Sequence, residues 1–434
     1  MRYEEALSWL YARQRFGIKQ GLENVERLLT ALERPQESFV AIHVTGSNGK
    51  GSVCAFLDAA LRAAGHSVGR YISPHLTSFT ERITVDGKEI PRADVALLAE
   101  QMVPVVADLE SQGVVPTFFE VVTAMAFLYF RRRRVPLAVV EVGMGGWWDA
   151  TNVVKPVVSI ITNVGLEHTD RLGSTVAAIA LEKAGIIKAE TPLVTRAVGD
   201  AYDVIRRRAK ELGAPIHFAA APEAKEYLDR TETGVSYFGN PVTLRLRALG
   251  RHQADNASLA ATALQALGDA FPVGADALRR GFENAVWPGR LEHASKNPLV
   301  LLDGAHNPPA IQTLFGFLER VVAPRPIRVL FSAMRDKNVP AMVRTMAPLV
   351  KEWVVTAPST DRAVPAKILA ETLRKEGVPA EPVDDVVEAI RRLHRDADAD
   401  DVLVITGSLF LVGEARAALL KPNVDPAVEY ARQQ

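Results

Sequence analysis

From about residue 40 to residue 190, short apolar, β-branched runs alternate with longer stretches whose apolar residues recur every three or four positions. That alternation predicts strand–helix crossover units around a parallel sheet. FVAIHVT is the first run; after it come a glycine turn and a stretch in which Val53, Phe56, Leu57, Ala60, Leu61 and Ala64 share one helical face, with Gly65 as the stop. SVGRYIS, LAVVEVG and VVSIITNVG read as further strands and FFEVVTAMAFLYF as a helix. From about 213 to 250 the pattern becomes strand-like, with turns at ETG and FGNP, and predicts a small accessory sheet.

A second alternation begins at LVLLDGA, residues 299–305, after the polar stretch WPGRLEHASKNP. It runs strand, helix (about 309–322), IRVLFSA, helix (about 339–350), WVVTA, helix (about 364–376), VLVITGS and a last helix. The expected fold class is therefore α/β in two units. Residues 1–295 form a mostly parallel sheet plus the accessory sheet, and residues 296–434 form a smaller, separately wound α/β domain, with the chemistry in the cleft between them.

Composition narrows the partners. The 434 residues carry 51 Lys plus Arg against 51 Asp plus Glu, so no overall field favours nucleic acid or anionic membrane. RRRR, residues 131–134, follows an apolar helix, where cations suit the C-terminal end. A single cysteine, Cys54, excludes an intrachain disulfide and a cysteine-rich zinc site. The first residues, MRYEEALSWLYARQRFG, lack the apolar core of a signal peptide, and no run is long and apolar enough to span a bilayer. The expectation is a cytoplasmic protein with small-molecule partners, and nothing demands an oligomer.

HVTGSNGKGS, residues 43–52, departs from the general phosphate-loop spacing but keeps its physics. Glycines let backbone N–H groups approach an anion, the following helix points its positive end there, and Lys50 adds a fixed charge. Ser73, Glu141 and His168 each follow the carboxyl end of a strand, where ligands collect in open α/β sheets. Singly, each has an ordinary structural explanation; their shared position suggests ligands for Mg2+ beside phosphates. Asp303, His306 and Ser408 repeat that arrangement in the second unit. By spacing alone, Lys183 reads as a solvated lysine, Asn256 as the cap of a helix start and Arg290 as a surface arginine in the linker.

The order of these motifs resembles the folylpolyglutamate synthase and dihydrofolate synthase family, within the Mur ligase superfamily of ATP-dependent amide ligases. HVTGSNGKGS, SPHLTSFTERI, TFFEVVTAMAF, EVGMGGWWDATN, ITNVGLEHTDRLG, LEKAGIIK, PGRLE, LLDGAHNP and ITGSLF follow in that family's order, and FGIKQGLENVERLL is similar to its start. The resemblance implies a P-loop-type ATP-binding domain followed by a Rossmann-like glutamate-ligase domain. It implies that Asn48, Gly49, Lys50, Gly51 and Ser52 hold the ATP phosphates, that Ser73, Glu141 and His168 hold magnesium, and that Lys183 is carbamylated. Asn256, Arg290 and Asp303 would contact nucleotide, and His306 and Ser408 the incoming glutamate. Thr117, Phe118, Phe119, Glu120, Trp148, Asp149 and Ala150 would face the pterin-bearing substrate.

The implied reaction passes the γ-phosphate of ATP to a folate-type carboxylate, dihydropteroate or a reduced folate, and L-glutamate then displaces phosphate. Lys50, Lys183, Asp303 and His306 are the residues expected to carry it. A monovalent cation such as K+ is left open, as is the choice between one activity and two. Trp147 departs from the family pattern, which has arginine there, and is expected to perturb the site. Two alternatives follow: a Mur ligase for another acid, and a nucleotide-binding protein with impaired ligase activity.

Overall fold

Nearly continuous apolar runs form central strands because both faces of those strands are covered. The structure is a computed structural model and describes residues 1–17, 21–395, 397–422 and 424–425. Ile18, Lys19 and Gln20 of the FGIKQG segment lie outside the described residues. VAIHVT is β1 (Val40–Thr45), followed by β2 (Val68–Tyr71), β3 (Ile83–Val85), β4 (Lys88–Glu89), β5 (Leu137–Glu141), β6 (Pro156–Ile161), β7 (Leu193–Thr195) and β8 (Ile216–Phe218). They form one sheet in the order β4-β3-β2-β5-β1-β6-β7-β8, with only the β4-β3-β2 edge antiparallel. One face is covered by helices Arg92–Ser111 and Phe118–Arg132, the other by Lys50–Ala63, Arg251–Leu267 and Ala275–Asn284.

The accessory sheet is β11-β10-β9, from β9 (Ala224–Glu226), β10 (Thr231–Tyr237) and β11 (Asn240–Leu246). Its alternating burial lays Val235, Tyr237, Val242, Leu244 and Leu246 into the core shared with helix Arg251–Leu267. The strand-like segment expected there divides: β8, at its start, joins the large sheet through β7 instead.

The second sheet has β12 (Glu292–Lys296), β13 (Leu299–Asp303), β14 (Ile327–Phe331), β15 (Val350–Val355), β16 (Glu381–Pro382) and β17 (Val402–Thr406) in the order β12-β13-β17-β14-β15-β16. Only the β12–β13 pair is antiparallel. The molecule is thus two-domain α/β, a large mostly parallel sheet with a small accessory sheet followed by a second wound sheet. Among the described residues no helix is long and apolar enough to cross a membrane.

In the first sheet the chain leaves β1 toward β2 on one side and later reaches β6 on the other, so the direction of winding reverses around β1. Such a reversal opens a crevice at the carboxyl ends of the strands. Thr45, Glu141 and Ile161 end β1, β5 and β6 there.

Candidate active site

A cavity of about 1830 Å3 lies between the carboxyl edges of the two sheets. Single-ligand sites occupy about 300–1,000 Å3, so this one has room for several reactants side by side. Its lining includes every candidate residue from the sequence except Phe118 and Lys183.

The phosphate turn forms the floor. Gly49 has φ +85°, and a Cβ there would fall 2.4 Å from the Asn256 side-chain oxygen, so only glycine fits. The turn is laced to the loop after β6: Ser47 N–H donates to the Asn163 carbonyl (2.9 Å), Asn48 N–H to Asn163 Oδ1 (3.0 Å), and Thr162 Oγ1 to the Asn48 carbonyl (2.6 Å). Lys50, the first residue of helix Lys50–Ala63, folds back so that Nζ donates to the Gly46 carbonyl at 2.7 Å, placing its charge over the mouth of the turn. Ser52 is buried one turn deeper and accepts from Gln253 Nε2 at 3.4 Å.

Glu141 is buried at the end of β5, and its Oε2 accepts the Ser73 N–H at 3.1 Å. Burial pushes its carboxyl up to about 7, against the pull of Lys50, the Ser73 amide, Arg290 and Arg70. His168 sits at φ 44° at the start of the short helix Thr169–Leu172, its basicity lowered by burial. Among the described residues no group of three His, Cys, Asp or Glu could hold a metal by itself. One buried carboxylate, one serine and one imidazole leave most of an octahedral shell to other oxygens, which fits Mg2+ bound together with phosphates better than an all-protein site.

Lys183 corrects the expectation of a solvated side chain. It ends helix Val176–Lys183 on the inward face, is 1% exposed, and places Nζ 2.6 Å from Glu167 Oε1. Burial lowers it to about 8 despite the Glu167 charge. Glu167 is pushed up by burial, but Lys50 and Lys183 outweigh that and hold it near 2. Asn256 corrects the expectation of a helix cap. Helix Arg251–Leu267 starts five residues earlier, because Gly250, at φ 97° with its N–H held by Thr231 Oγ1, breaks the chain there. Asn256 is therefore a second-turn residue, buried, with Nδ2 on Gln253 Oε1 at 3.0 Å.

In the second domain, Asp303 ends β13 and accepts the N–H groups of Leu291 (2.8 Å) and Ala305 (2.9 Å), fixing the linker beside Arg290. Burial raises its pKa, opposed by Arg290. His306 Nδ1 lies 2.8 Å from the Gly304 carbonyl, which can only accept, so Nδ1 carries the proton and Nε2 keeps its lone pair. Burial lowers this imidazole to about 4. Ser408 caps helix Leu409–Leu420 through the Phe410 N–H.

Of the residues read as facing the pterin, Thr117 and Glu120 close a capping box on helix Phe118–Arg132. Phe119 and Trp148 present aromatic surface to the cavity, and Asp149, just before Ala150, is held by the Met144 and Thr151 N–H groups at 3.0 Å. Phe118 instead stacks on Tyr11 at 5.5 Å with the Arg82 guanidinium over its other side, so it supports the wall without lining it. Trp147 is also off the cavity. Its indole lies 4.9 Å beneath the Arg208 guanidinium, and its backbone is held by Glu182 and Asn152. Its placement off the cavity speaks for packing, against the expectation that it perturbs the site.

Sequence reasoning missed Glu167, Lys337 and the Arg82–His75 pair (2.7 Å). Lys337 lines the cavity in the loop after β14, where its charge acts on both His168 and His306. It follows the carboxyl end of IRVLF, the same signal that marks the site residues after the other strands.

Residues 44–264 match the Mur ligase middle domain and residues 289–409 the Mur ligase glutamate ligase domain. A Bacillus subtilis protein described as dihydrofolate synthase/folylpolyglutamate synthase is 36% identical, covering 96% of this chain and 99% of its own. A Haloferax volcanii protein described as a probable bifunctional folylpolyglutamate synthase/dihydropteroate synthase is 39% identical over 96% of this chain. The chain spans about half the length of that relative, 50%. Among solved structures, Mycobacterium tuberculosis folylpolyglutamate synthase complexed with ADP superposes with a TM-score of 0.90 at 32% identity, covering 98% of this chain and 99% of that one. Escherichia coli FolC in complex with DHPP and ADP gives 0.85 at 30% identity, covering 96% and 98%. With both ligase domains matched in order and the Bacillus subtilis relative aligned nearly end to end, the chain belongs to the folylpolyglutamate synthase/dihydrofolate synthase family of Mur ligases.

Proposed function

We propose that this protein is an ATP-dependent ligase that joins L-glutamate to a folate-type carboxylate, dihydropteroate or a reduced folate polyglutamate, through an acyl phosphate. The observation that carries the reading is the single cavity in which a phosphate turn faces a neutral, base-competent His306 across the domain interface. A carboxylate oxygen of the folate-type acid attacks the γ-phosphorus and the bond to ADP breaks. The glutamate amine then attacks the acyl carbon, the bond to phosphate breaks, and the amine loses a proton. Such transfers need positioning and neutralisation of charge more than a covalent partner.

Residues 1–295 supply the nucleotide and folate walls, and residues 296–434 the glutamate wall. Asn48 to Ser52 cradle the phosphates, with Asn256, Arg290 and Asp303 on the rest of the nucleotide. Mg2+, held by Ser73, Glu141 and His168, would neutralise phosphate charge when bound, and K+ is a candidate second cation. A buried, deprotonatable Lys183 suits carbamylation. His306 Nε2 accepts the amine proton or orients the amine beside Ser408, and Lys337 faces a glutamate carboxylate. Phe119, Trp148, Asp149 and Ala150 receive the pterin-bearing acid. A cytoplasmic location suits an unpaired, buried Cys54, and a monomer is the expected state.

The test is phosphate release from ATP with glutamate plus dihydropteroate or tetrahydrofolate. Release with either acid is expected, and the pattern of the two separates a monofunctional from a bifunctional enzyme; background release with both rejects the proposal. Lys337→Ala is expected to raise the KM for glutamate about tenfold, the scale of one charge-assisted hydrogen bond. The KM for ATP should stay within about twofold.

A further inference from the structure

The loop 73–82 carries Ser73, His75 and Arg82 into the cavity, and two distant parts of the chain hold it there. Within the loop, Glu81 accepts from the N–H groups of Leu76 (2.7 Å), Thr77 (2.9 Å) and Ser78 (2.9 Å). From the second domain, helix Leu409–Leu420 closes on Leu76, so near that a Cβ at Gly413 would fall 2.3 Å from the Leu76 carbonyl oxygen. The chain beyond that helix then returns to the first domain. Arg92 donates to the Val424 carbonyl at 2.6 Å, and the Asp425 N–H donates to the Thr77 carbonyl at 3.2 Å. The Asp425 carboxylate accepts from Tyr3 Oη (2.6 Å), Ser78 Oγ (2.9 Å) and the Phe79 N–H (2.6 Å).

We infer that Asp425 is a positioning residue for the ligase reaction: it straps the 73–82 loop to the second domain, so that docking of that domain and ordering of the loop are one event. Three donors from two separate segments converge on one carboxylate, and Ser78 and Phe79 are fully buried beneath it. A charged acceptor at the start of the turn Phe79–Arg82 satisfies an N–H that helix geometry leaves open. Tyr3 is locked in its protonated, donating form, its pKa raised by burial and by Asp425. Asp425 borders the cavity, but its carboxylate is engaged by three donors of the protein, so the strap acts through the loop. The kinetic half of this inference rests on the proposed folate wall at Thr117 to Glu120, which the loop meets through Arg82 over Phe118; the strap itself does not.

Two measurements separate those halves. In Asp425→Asn, hydrogen–deuterium exchange of the 75–80 amides in the substrate-free protein should quicken about tenfold, the scale of a lost charge-assisted bond. The KM for the folate-type acid should rise about fivefold while that for glutamate stays within about twofold. Tyr3→Phe combined with Ser78→Ala removes two of the three contacts from the other side, leaving the Phe79 N–H on Asp425, and should reproduce most of both effects. Adding Asp425→Asn to that pair should change little more, because the contact is shared. Unchanged exchange in both variants overturns the strap whatever the substrate is. Faster exchange with no split between the two KM values overturns the positioning role.

Discussion

Trp147 shows how one residue can be misjudged from its neighbours in sequence. It follows two glycines next to a functional strand end, so it reads as part of the site, but the turn rotates it outward onto Arg208 and leaves Trp148 facing the cavity. Arg208 Nε has no hydrogen-bond partner, so the indole face is what this guanidinium meets on that side. Trp147→Arg would remove that contact and bring in a like charge. The expected outcome is a loss of about 1 kcal/mol of unfolding free energy in urea titrations. With kcat and KM within about twofold of the parent, the side chain is structural; a clear change in either returns it to the site. Residues at strand ends were legible because topology delivers them to one edge. Lys183 was not, because the identity of its helix's inward face depends on where the 164–168 loop lies, and Lys337 was hidden in the charged run RDK.

At the scale of elements, the phosphate turn works because three elements meet on it. β1 leads in, helix Lys50–Ala63 leads out with its positive end toward the cavity, and Asn256 of helix Arg251–Leu267 presses on Gly49 from above. Gly49→Ala should therefore fail twice, once through the left-handed backbone, about 1–2 kcal/mol, and again through collision with Asn256. The expected result is a nucleotide Kd raised at least about tenfold, read by isothermal titration with a non-hydrolysable nucleotide, with the fold retained in circular dichroism. A Gly49→Ala variant that binds nucleotide normally would mean that phosphate is held elsewhere. The central strands were plain in the sequence because burial on both faces demands unbroken apolar runs. β4, β8 and β16 were not, since each is an edge strand of two or three residues with mixed polarity.

At the scale of the molecule, burying the site also stores a dependence on pH. Burial lowers His43 to about 3 and His252 and His306 to about 4, so the folded chain keeps all three neutral where the unfolded chain, with imidazoles near 6.5, protonates them. A base with a depressed folded pKa contributes stability that is intact above 6.5 and is lost as pH falls toward the folded value. Glu141 opposes this, because its raised carboxyl lets the folded state take one proton first, below about 7. These three protons and a fourth at His75, which burial holds well below its usual value, favour the unfolded state and one favours the folded state, a net of about three. Stability of the nucleotide-free protein should thus fall by about 3 kcal/mol per pH unit between pH 6 and 5, allowing for the partial exposure of His75, His252 and His306. Urea unfolding at pH 7, 6 and 5 measures the slope, and His43→Gln should reduce it by about one proton's share, because His43 is fully buried with Nε2 2.8 Å from Thr151 Oγ1. A flat profile over that range would mean that the histidines stay solvated, and with them His306 would lose its standing as a neutral base at the domain interface.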